Sequence, residues 1–158
     1  MDNIEERQRL VDEARRWLGT PYHHRGTRLG VGVDCVQLLI QSSLAAGLID
    51  DPEAAGKYTC DWHLHRSEER YLAGLERFAA RIDDSELKLI DRPKDFTANK
   101  GDILMWRVGR TFSHSAIVTD WPYIIHSYLP SSIVEEVSIM GTPMAERPMR
   151  VYSYWGKR

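Results

Sequence analysis

The chain has 158 residues, a formal net charge of −2 at pH 7 and hydrophobic residues at 42% of its positions. This length suffices to bury one hydrophobic core, so we expect a single domain over residues 1–158. Because the charge is slightly negative and the basic residues are scattered, nucleic acid is not expected as a partner. The first residues are polar and acidic, and no apolar run has membrane-spanning length, which predicts no membrane partner and synthesis as a cytoplasmic protein.

Helical patterns occupy most of the first half of the chain. Apolar residues recur at helical spacing over residues 4–18, with charged residues on the opposite face, and again over 35–46 and 68–82. The first two patterns are separated by residues 19–33, which carry four glycines and one proline. Such a segment is typical of a loop that approaches a site closely. Residues 47–67 are irregular.

The spacing of apolar residues becomes strand-like after residue 100. Five strands are predicted, over residues 103–108, 115–119, 123–128, 133–139 and 149–154. Consecutive strands separated by short turns predict an antiparallel sheet of about five strands. Helices first and strands second indicate an α+β fold in which the N-terminal helices pack on the sheet.

Cys35 begins the second predicted helix, directly after Asp34, which is a good N-cap residue, and Gln37 stands three positions on, as in a capping box. Unpaired backbone N–H groups and the helix dipole stabilise a thiolate there, so we expect a lowered pKa and a nucleophilic sulfur. The N–H of Cys35 would also be one donor of an oxyanion hole. The alternative is that Cys35 is a small packing residue beneath the glycine-rich loop. A disulfide with Cys60 is a weaker alternative, since the two cysteines have different surroundings.

A cysteine nucleophile needs a base, and two histidines are placed to supply one. His114 stands at the start of the strand predicted over 115–119, and His126 lies on the next strand. The two positions are symmetric about Asp120, so a hairpin turning at Asp120 and Trp121 would make the imidazoles cross-strand neighbours. We then expect His114 to accept the thiol proton and His126 to fix its tautomer and ring plane. The alternative is two ordinary strand histidines.

The remaining histidines and the tryptophans are given no functional role. The pairs His23–His24 and His63–His65 are close in sequence, but no second pair is positioned by a motif to complete a metal site, so we predict no metal and no cofactor. Scattered aromatic residues are more often core or rim than a sugar-binding platform. This interpretation covers Trp62, Trp106, Trp121 and Trp155.

Several short motifs stand in a fixed order along the chain: Leu18-Gly19-Thr20-Pro21-Tyr22, Gly26, Asp34-Cys35, Gly101-Asp102, His114 and His126. In this order and spacing they resemble the NlpC/P60 cysteine peptidases, over roughly residues 10–40 and 100–130. The resemblance implies a papain-like α+β fold with Cys35 as nucleophile, His114 as general base and His126 as the third, orienting residue. By the same similarity Tyr22 would lie beside the cysteine, and Asp34 would cap the helix and touch substrate.

Proteins of this family commonly cleave amide bonds in peptidoglycan stem peptides, so the resemblance implies a hydrolase acting on cell-wall peptide. The phage-associated branch of the family sits in tail or tail-like assemblies, and we expect phage-tail or secretion-machine proteins as partners. A tail, a secretion machine or lysis would bring the cytoplasmic product to the periplasm or cell wall. Where the family has Ser-Gly after the cysteine, this chain has Val36 and Gln37. This change leaves a non-catalytic tail or secretion component as one alternative. A second alternative is an acyltransferase or amidase that uses the same thiol site, since related thiol folds include acyltransferases.

Overall fold

The computed structural model describes residues 3–55, 70–83 and 85–156. Its elements confirm the predicted α+β fold. The helices are α1 (Ile4–Arg15), α2 (Cys35–Ala45) and α3 (Arg70–Glu76). The glycine-rich segment forms a small antiparallel pair, β1 (Thr27–Arg28) with β2 (Gly32–Val33). Among the helices within these ranges, none is long and apolar enough to cross a membrane.

The main sheet has six strands in the described ranges, one more than predicted, and all their pairings are antiparallel. The strands are β3 (Ala80–Arg81), β4 (Ile103–Val108), β5 (Thr111–Val118), β6 (Tyr123–Tyr128), β7 (Ile133–Ser138) and β8 (Met149–Ser153). Their order across the sheet is β3-β8-β4-β5-β6-β7.

The third helix was predicted over residues 68–82, and the additional strand shows that its predicted C-terminal end is wrong. The helix ends at Glu76, and residues 68 and 69 lie outside the described ranges. Ala80 and Arg81 instead pair with β8, opposite Ser153 and Tyr152. Completing the sheet edge outweighs the helical spacing of the apolar residues, because local propensity is a weak preference that tertiary pairing overrides.

Side chains on the two faces of the sheet belong to two separate hydrophobic clusters. Ile103, Met105 and Ile117 pack with α1, α2 and α3 on one face. Leu104 and Trp106 contribute to the cluster on the other face. This division follows from the alternation of side chains along a strand. The helix layer therefore covers one face, and α2 delivers its first residue to the edge of that layer.

The Gly101-Asp102 motif has a structural role at the start of β4. Asp102 is fully buried and accepts hydrogen bonds from the guanidinium of Arg7, at 2.9 Å, and from the backbone N–H of Asn99, at 2.8 Å. Gly101 adopts a φ of +81°, a conformation that favours glycine. The motif therefore ties α1 to the first long strand of the sheet.

The hairpin between β5 and β6 differs from the predicted register. Ile117 lies opposite Ile125 and Val118 opposite Ile124, so the connection is centred on Trp121 rather than on Asp120. His114 and His126 are therefore diagonal rather than directly opposite. A displacement of two residues keeps both side chains on the same face, because side chains alternate with a period of two.

Candidate active site

A cavity of about 240 Å³ brings most of the predicted site residues together. It is formed by the start of α2, the end of β4, the start of β5 and the end of β6. Its lining residues are Tyr22, His24, Asp34, Cys35, Val36, Val108, Ser113, His114, Ser127, Tyr128, Leu129, Pro130, Met144 and Arg147. His126 is buried behind His114 and does not line the cavity.

Asp34 fixes the start of α2, as predicted. It is the N-cap residue, and its Oδ1 accepts a hydrogen bond from the backbone N–H of Gln37 at 2.8 Å. Its Oδ2 accepts another from the N–H of Arg25 at 2.8 Å, which joins the glycine-rich segment to the helix. The carbonyl oxygen of Asp34 accepts the N–H of Leu38. The first-turn N–H groups that remain to face a ligand are therefore those of Cys35 and Val36.

Cys35 is half-buried and carries a free thiol, and Cys60 lies outside the described ranges. The thiol donates to the carbonyl oxygen of Ser113, with a sulfur–oxygen distance of 3.6 Å. Ser113 is the extra residue of a β-bulge, since Trp106 pairs with His114 and Arg107 pairs with Phe112. The bulge thus presents a carbonyl to the sulfur and places the next residue, His114, in the same cavity.

The acidity of Cys35 contradicts the sequence-based expectation. Burial, followed by the negative charge of Asp34, raises the pKa of the Cys35 thiol to about 12. Backbone N–H groups of Ser115, Val36 and Cys35 act in the predicted direction and lower it, but they are outweighed. The expectation counted the helix terminus and omitted desolvation, which disfavours the charged form. The thiol is therefore protonated at neutral pH in the free protein.

The two imidazoles form a hydrogen-bonded chain that ends on a carboxylate. His114 Nε2 lies 2.9 Å from His126 Nδ1, and His126 Nε2 lies 3.0 Å from Glu135 Oε1. Glu135 stands directly opposite His126 on β7. The sequence reasoning missed Glu135, because finding it requires the β6–β7 register. The only local signal was Pro130, near the turn between these strands.

The carboxylate determines which imidazole nitrogens carry protons. A carboxylate only accepts, so His126 Nε2 is the donor to Glu135 and its Nδ1 is then an acceptor in the neutral ring. His114 must therefore donate from Nε2, which leaves its Nδ1 with a free lone pair. The chain of hydrogen bonds selects the His114 tautomer that has a basic nitrogen available outside the chain.

Both histidines are neutral at pH 7. Burial, then the nearby His126 and Arg147, hold the pKa of His114 well below its usual range. Burial also lowers the pKa of His126, although the hydrogen bond that His126 donates to Glu135 opposes the shift. The Tyr128 ring stacks on His126, with ring centroids 4.7 Å apart. These packed surroundings fix the ring planes and exclude water from the pair.

The other sequence-based assignments have mixed outcomes. Trp106 is a core residue, as predicted, and Trp121 and Trp155 are half-buried. His24 lines the cavity, with Nδ1 3.7 Å from Asp34 Oδ2. From the sequence, His24 was considered only as a metal ligand, and Arg147, a second lining residue, was not considered. Trp62, His63 and His65 lie outside the described ranges.

Comparison with known proteins identifies the fold. No protein-family model matches the sequence, and no curated protein is significantly similar to it. Solved structures do match: the NlpC/p60 domain of the peptidoglycan hydrolase SagA has a TM-score of 0.60 and 22% identity, covering 92% of this chain and 97% of that domain. An N-acetylmuramoyl-L-alanine amidase from Bacteroides uniformis has a TM-score of 0.64 and 12% identity, covering 94% of this chain and 98% of that one.

NlpC1 from Trichomonas vaginalis also has a TM-score of 0.64, with 13% identity, covering 97% of this chain. This chain spans 45% of the length of NlpC1 but nearly all of the SagA domain. The arrangement of helices and sheet is thus common to several proteins that share few residues with this chain. The chain has the NlpC/P60 fold, as its motifs predicted.

Proposed function

We propose that this chain is a thiol hydrolase that cleaves amide bonds in peptidoglycan stem peptides, with Cys35 as nucleophile and His114 as general base. One observation carries the proposal: Cys35 and His114 face one cavity, and the hydrogen-bonded chain through His126 to Glu135 leaves His114 Nδ1 free to accept a proton. Two proteins with this fold are a peptidoglycan hydrolase and an amidase, which supports peptidoglycan peptides as the substrate class.

The first step starts from a neutral pair. Because the pKa of Cys35 is raised and that of His114 is lowered, a preformed thiolate–imidazolium pair is not the resting state. The thiol exchanges its hydrogen bond from the Ser113 carbonyl to His114 Nδ1, and the proton moves to that nitrogen as the sulfur attacks the substrate carbonyl. His126 and Glu135 stabilise the imidazolium that forms.

The remaining steps use the same groups. The N–H of Cys35, with that of Val36 beside it, donates to the oxyanion of the tetrahedral intermediate. His114 returns its proton to the leaving amine, the carbon–nitrogen bond breaks, and a thioester on Cys35 remains. Water then attacks the thioester while His114 takes its proton. The carboxylic acid leaves, and Cys35 regains its proton.

Digestion of purified peptidoglycan and synthetic stem peptides tests the proposal, with products identified by mass spectrometry. We expect new amine and carboxylate ends from the wild-type chain, none from Cys35→Ala and unchanged activity from the matched control Cys60→Ala. Equal activity of Cys35→Ala and wild type would contradict the proposal. Adding an amine acceptor distinguishes the acyltransferase alternative, since transfer products would then replace hydrolysis products.

If neither the wild-type chain nor Cys35→Ala releases any product from peptidoglycan or stem peptides, the result would favour the non-catalytic alternative. Cytoplasmic synthesis, delivery to the cell wall, and phage-tail or secretion-machine partners stay predictions. They are tested by locating the protein in fractionated cells and by identifying the proteins that copurify with it.

A further inference from the structure

Arg147 places a guanidinium in the wall of the cavity that contains Cys35 and His114. It follows the short helical turn Pro143–Glu146 and precedes β8, and its backbone N–H donates to the carbonyl of Met144 at 3.2 Å. The residue is half-buried. Its charge acts on His114, where it adds to the effects of burial and His126 in lowering the imidazole pKa. The guanidinium therefore lies close to the reacting groups.

The positive charge of Arg147 has no counter-ion within the described ranges. Other arginines there pair with carboxylates, for example Arg150 with Glu86 and Arg92 with Asp83. The carboxylate that lines the same cavity, Asp34, is held by the N–H groups of Gln37 and Arg25. No ion pair therefore joins Arg147 to Asp34 or to another carboxylate of the described residues, and its guanidinium is available to an anionic ligand.

Such a guanidinium is suited to one class of ligand. Its planar fork donates two parallel hydrogen bonds, which match the two oxygens of a carboxylate. Part of the hydration of the charge is already lost in the half-buried wall, so a carboxylate arriving there meets little competition from water. Met144 and Leu129 also line the cavity and offer apolar contacts for the rest of a peptide.

We propose that Arg147 binds a free carboxylate of the peptide substrate and so makes the enzyme prefer stem peptides that carry this carboxylate over those in which it is amidated. The inference rests on the proposed function for its substrate. Arg147 then determines substrate specificity and takes no part in nucleophilic attack or proton transfer. In stem peptides the carboxylate that amidation removes is that of the γ-linked glutamyl residue.

The test uses two synthetic peptides: a stem tripeptide of L-alanine, γ-linked D-glutamate and L-lysine, and the same peptide with the free glutamyl carboxylate converted to a carboxamide. Their dissociation constants are measured by calorimetry on the Cys35→Ala protein, so binding is read without turnover. We expect the carboxylate peptide to bind roughly tenfold more tightly, as a charge-assisted bidentate contact allows. Adding Arg147→Gln should abolish the preference, and Arg147→Lys should retain part of it.

Arg16→Gln, at the exposed C-cap residue that follows α1, is the matched control and should keep the preference. Equal affinity for the two peptides, or a preference that survives in Arg147→Gln, would overturn the inference even if the wild-type chain hydrolyses peptidoglycan. A preference lost only in Arg147→Gln would support it even if no peptide is cleaved, in which case the proposed function alone fails. If the enzyme is active, the carboxylate peptide should have a lower KM than the carboxamide peptide, and Arg147→Gln should remove this difference. If Arg147→Gln instead lowers kcat equally for both peptides, the result would contradict the inference.

Discussion

The carboxylate of Glu135 lies 3.0 Å from His126 Nε2, directly across the β6–β7 pair. This contact sets the direction of every hydrogen bond in the chain that leads to His114. A histidine in the third position of the site could present either nitrogen to its neighbour, whereas a histidine bonded to a carboxylate presents only its Nδ1 lone pair. Which nitrogen of His114 stays unprotonated therefore depends on Glu135, a residue that does not line the cavity.

Replacing Glu135 with glutamine should lower kcat/KM about tenfold, because a charge-assisted hydrogen bond worth about 1.5 kcal/mol is lost and the neutral amide no longer dictates the tautomer. Hydrogen bonds to charged groups are worth about 1.5–3 kcal/mol, and the lower figure applies here because Glu135 is partly exposed. Steady-state kinetics on a stem peptide measures it. Glu136→Gln on the same strand, which affects only the ion pair with Arg15, is the control. Wild-type kcat/KM in Glu135→Gln would show that the carboxylate has no part in positioning the base.

Alkylation of Cys35 should be slow at neutral pH and should still accelerate above pH 9.0, the ordinary value for the thiol, because its pKa is raised to about 12. The Cys60→Ala variant isolates this thiol, and the rate with iodoacetamide is followed as a function of pH. Iodoacetamide reacts only with the thiolate, whereas in the proposed mechanism His114 removes the thiol proton during attack on the substrate. Slow alkylation is therefore compatible with catalysis. A rate that levels off below pH 8 would indicate a preformed thiolate and refute the neutral resting pair.

Acidification should destabilise the protein from about pH 6.5 downward, through the ordinary range of histidine. The folded pKa values of His114 and His126 are both lowered, so the unfolded chain binds protons first as the pH falls. Their neutral forms therefore contribute stability that is present above about pH 6.5 and lost as the pH falls through the folded values.

Urea unfolding between pH 7 and pH 5 measures this dependence. His114→Asn should reduce the slope of unfolding free energy against pH. Identical slopes for the wild type and His114→Asn would indicate that the His114 imidazole titrates equally in the folded and unfolded chains.

Asp102→Ala should lower the free energy of unfolding by about 3 kcal/mol, since breaking a buried ion pair leaves an uncompensated charge. Arg7 would lose its carboxylate partner, and the N–H of Asn99 would lose its acceptor. Chemical denaturation gives the value. Asp12→Ala, on the exposed side of α1, should change stability by less than about 0.5 kcal/mol. Comparable small effects of the two substitutions would show that the motif does not tie α1 to β4.

Long periodic segments were predictable from the sequence. The bounds of β4 and β6 match the predicted 103–108 and 123–128, and the N-cap of α2 is at Asp34. The two-residue strand β3 was missed, because two residues carry no periodic signal and its pairing with β8 is non-local. A hairpin centred one residue away from the prediction was enough to change the pairing of the histidines, although not their face of the sheet.

The site was predictable in its residues more than in its electrostatics. Motif order indicated Tyr22, Asp34, Cys35 and His114, and these four line one cavity. The sign of the Cys35 pKa shift could not be obtained from the helix terminus alone, because it depends on burial and on a neighbouring carboxylate. Arg147 also lines the cavity, but it lies more than 100 residues after Cys35 in the sequence, and no local pattern marks it.

The most direct measurement of the central claim is detection of an acyl group on Cys35 during turnover. Reactions with a stem peptide are quenched at short times, and the mass of the Cys35-containing fragment is determined for the wild type and for His114→Asn. We predict a transient mass increase on that fragment, equal to the acyl portion of the substrate, that forms on the wild type and is at least about 100-fold slower in His114→Asn. Product formation without any adduct on Cys35, or an adduct that forms equally fast without the imidazole, would contradict the transfer of the thiol proton to His114.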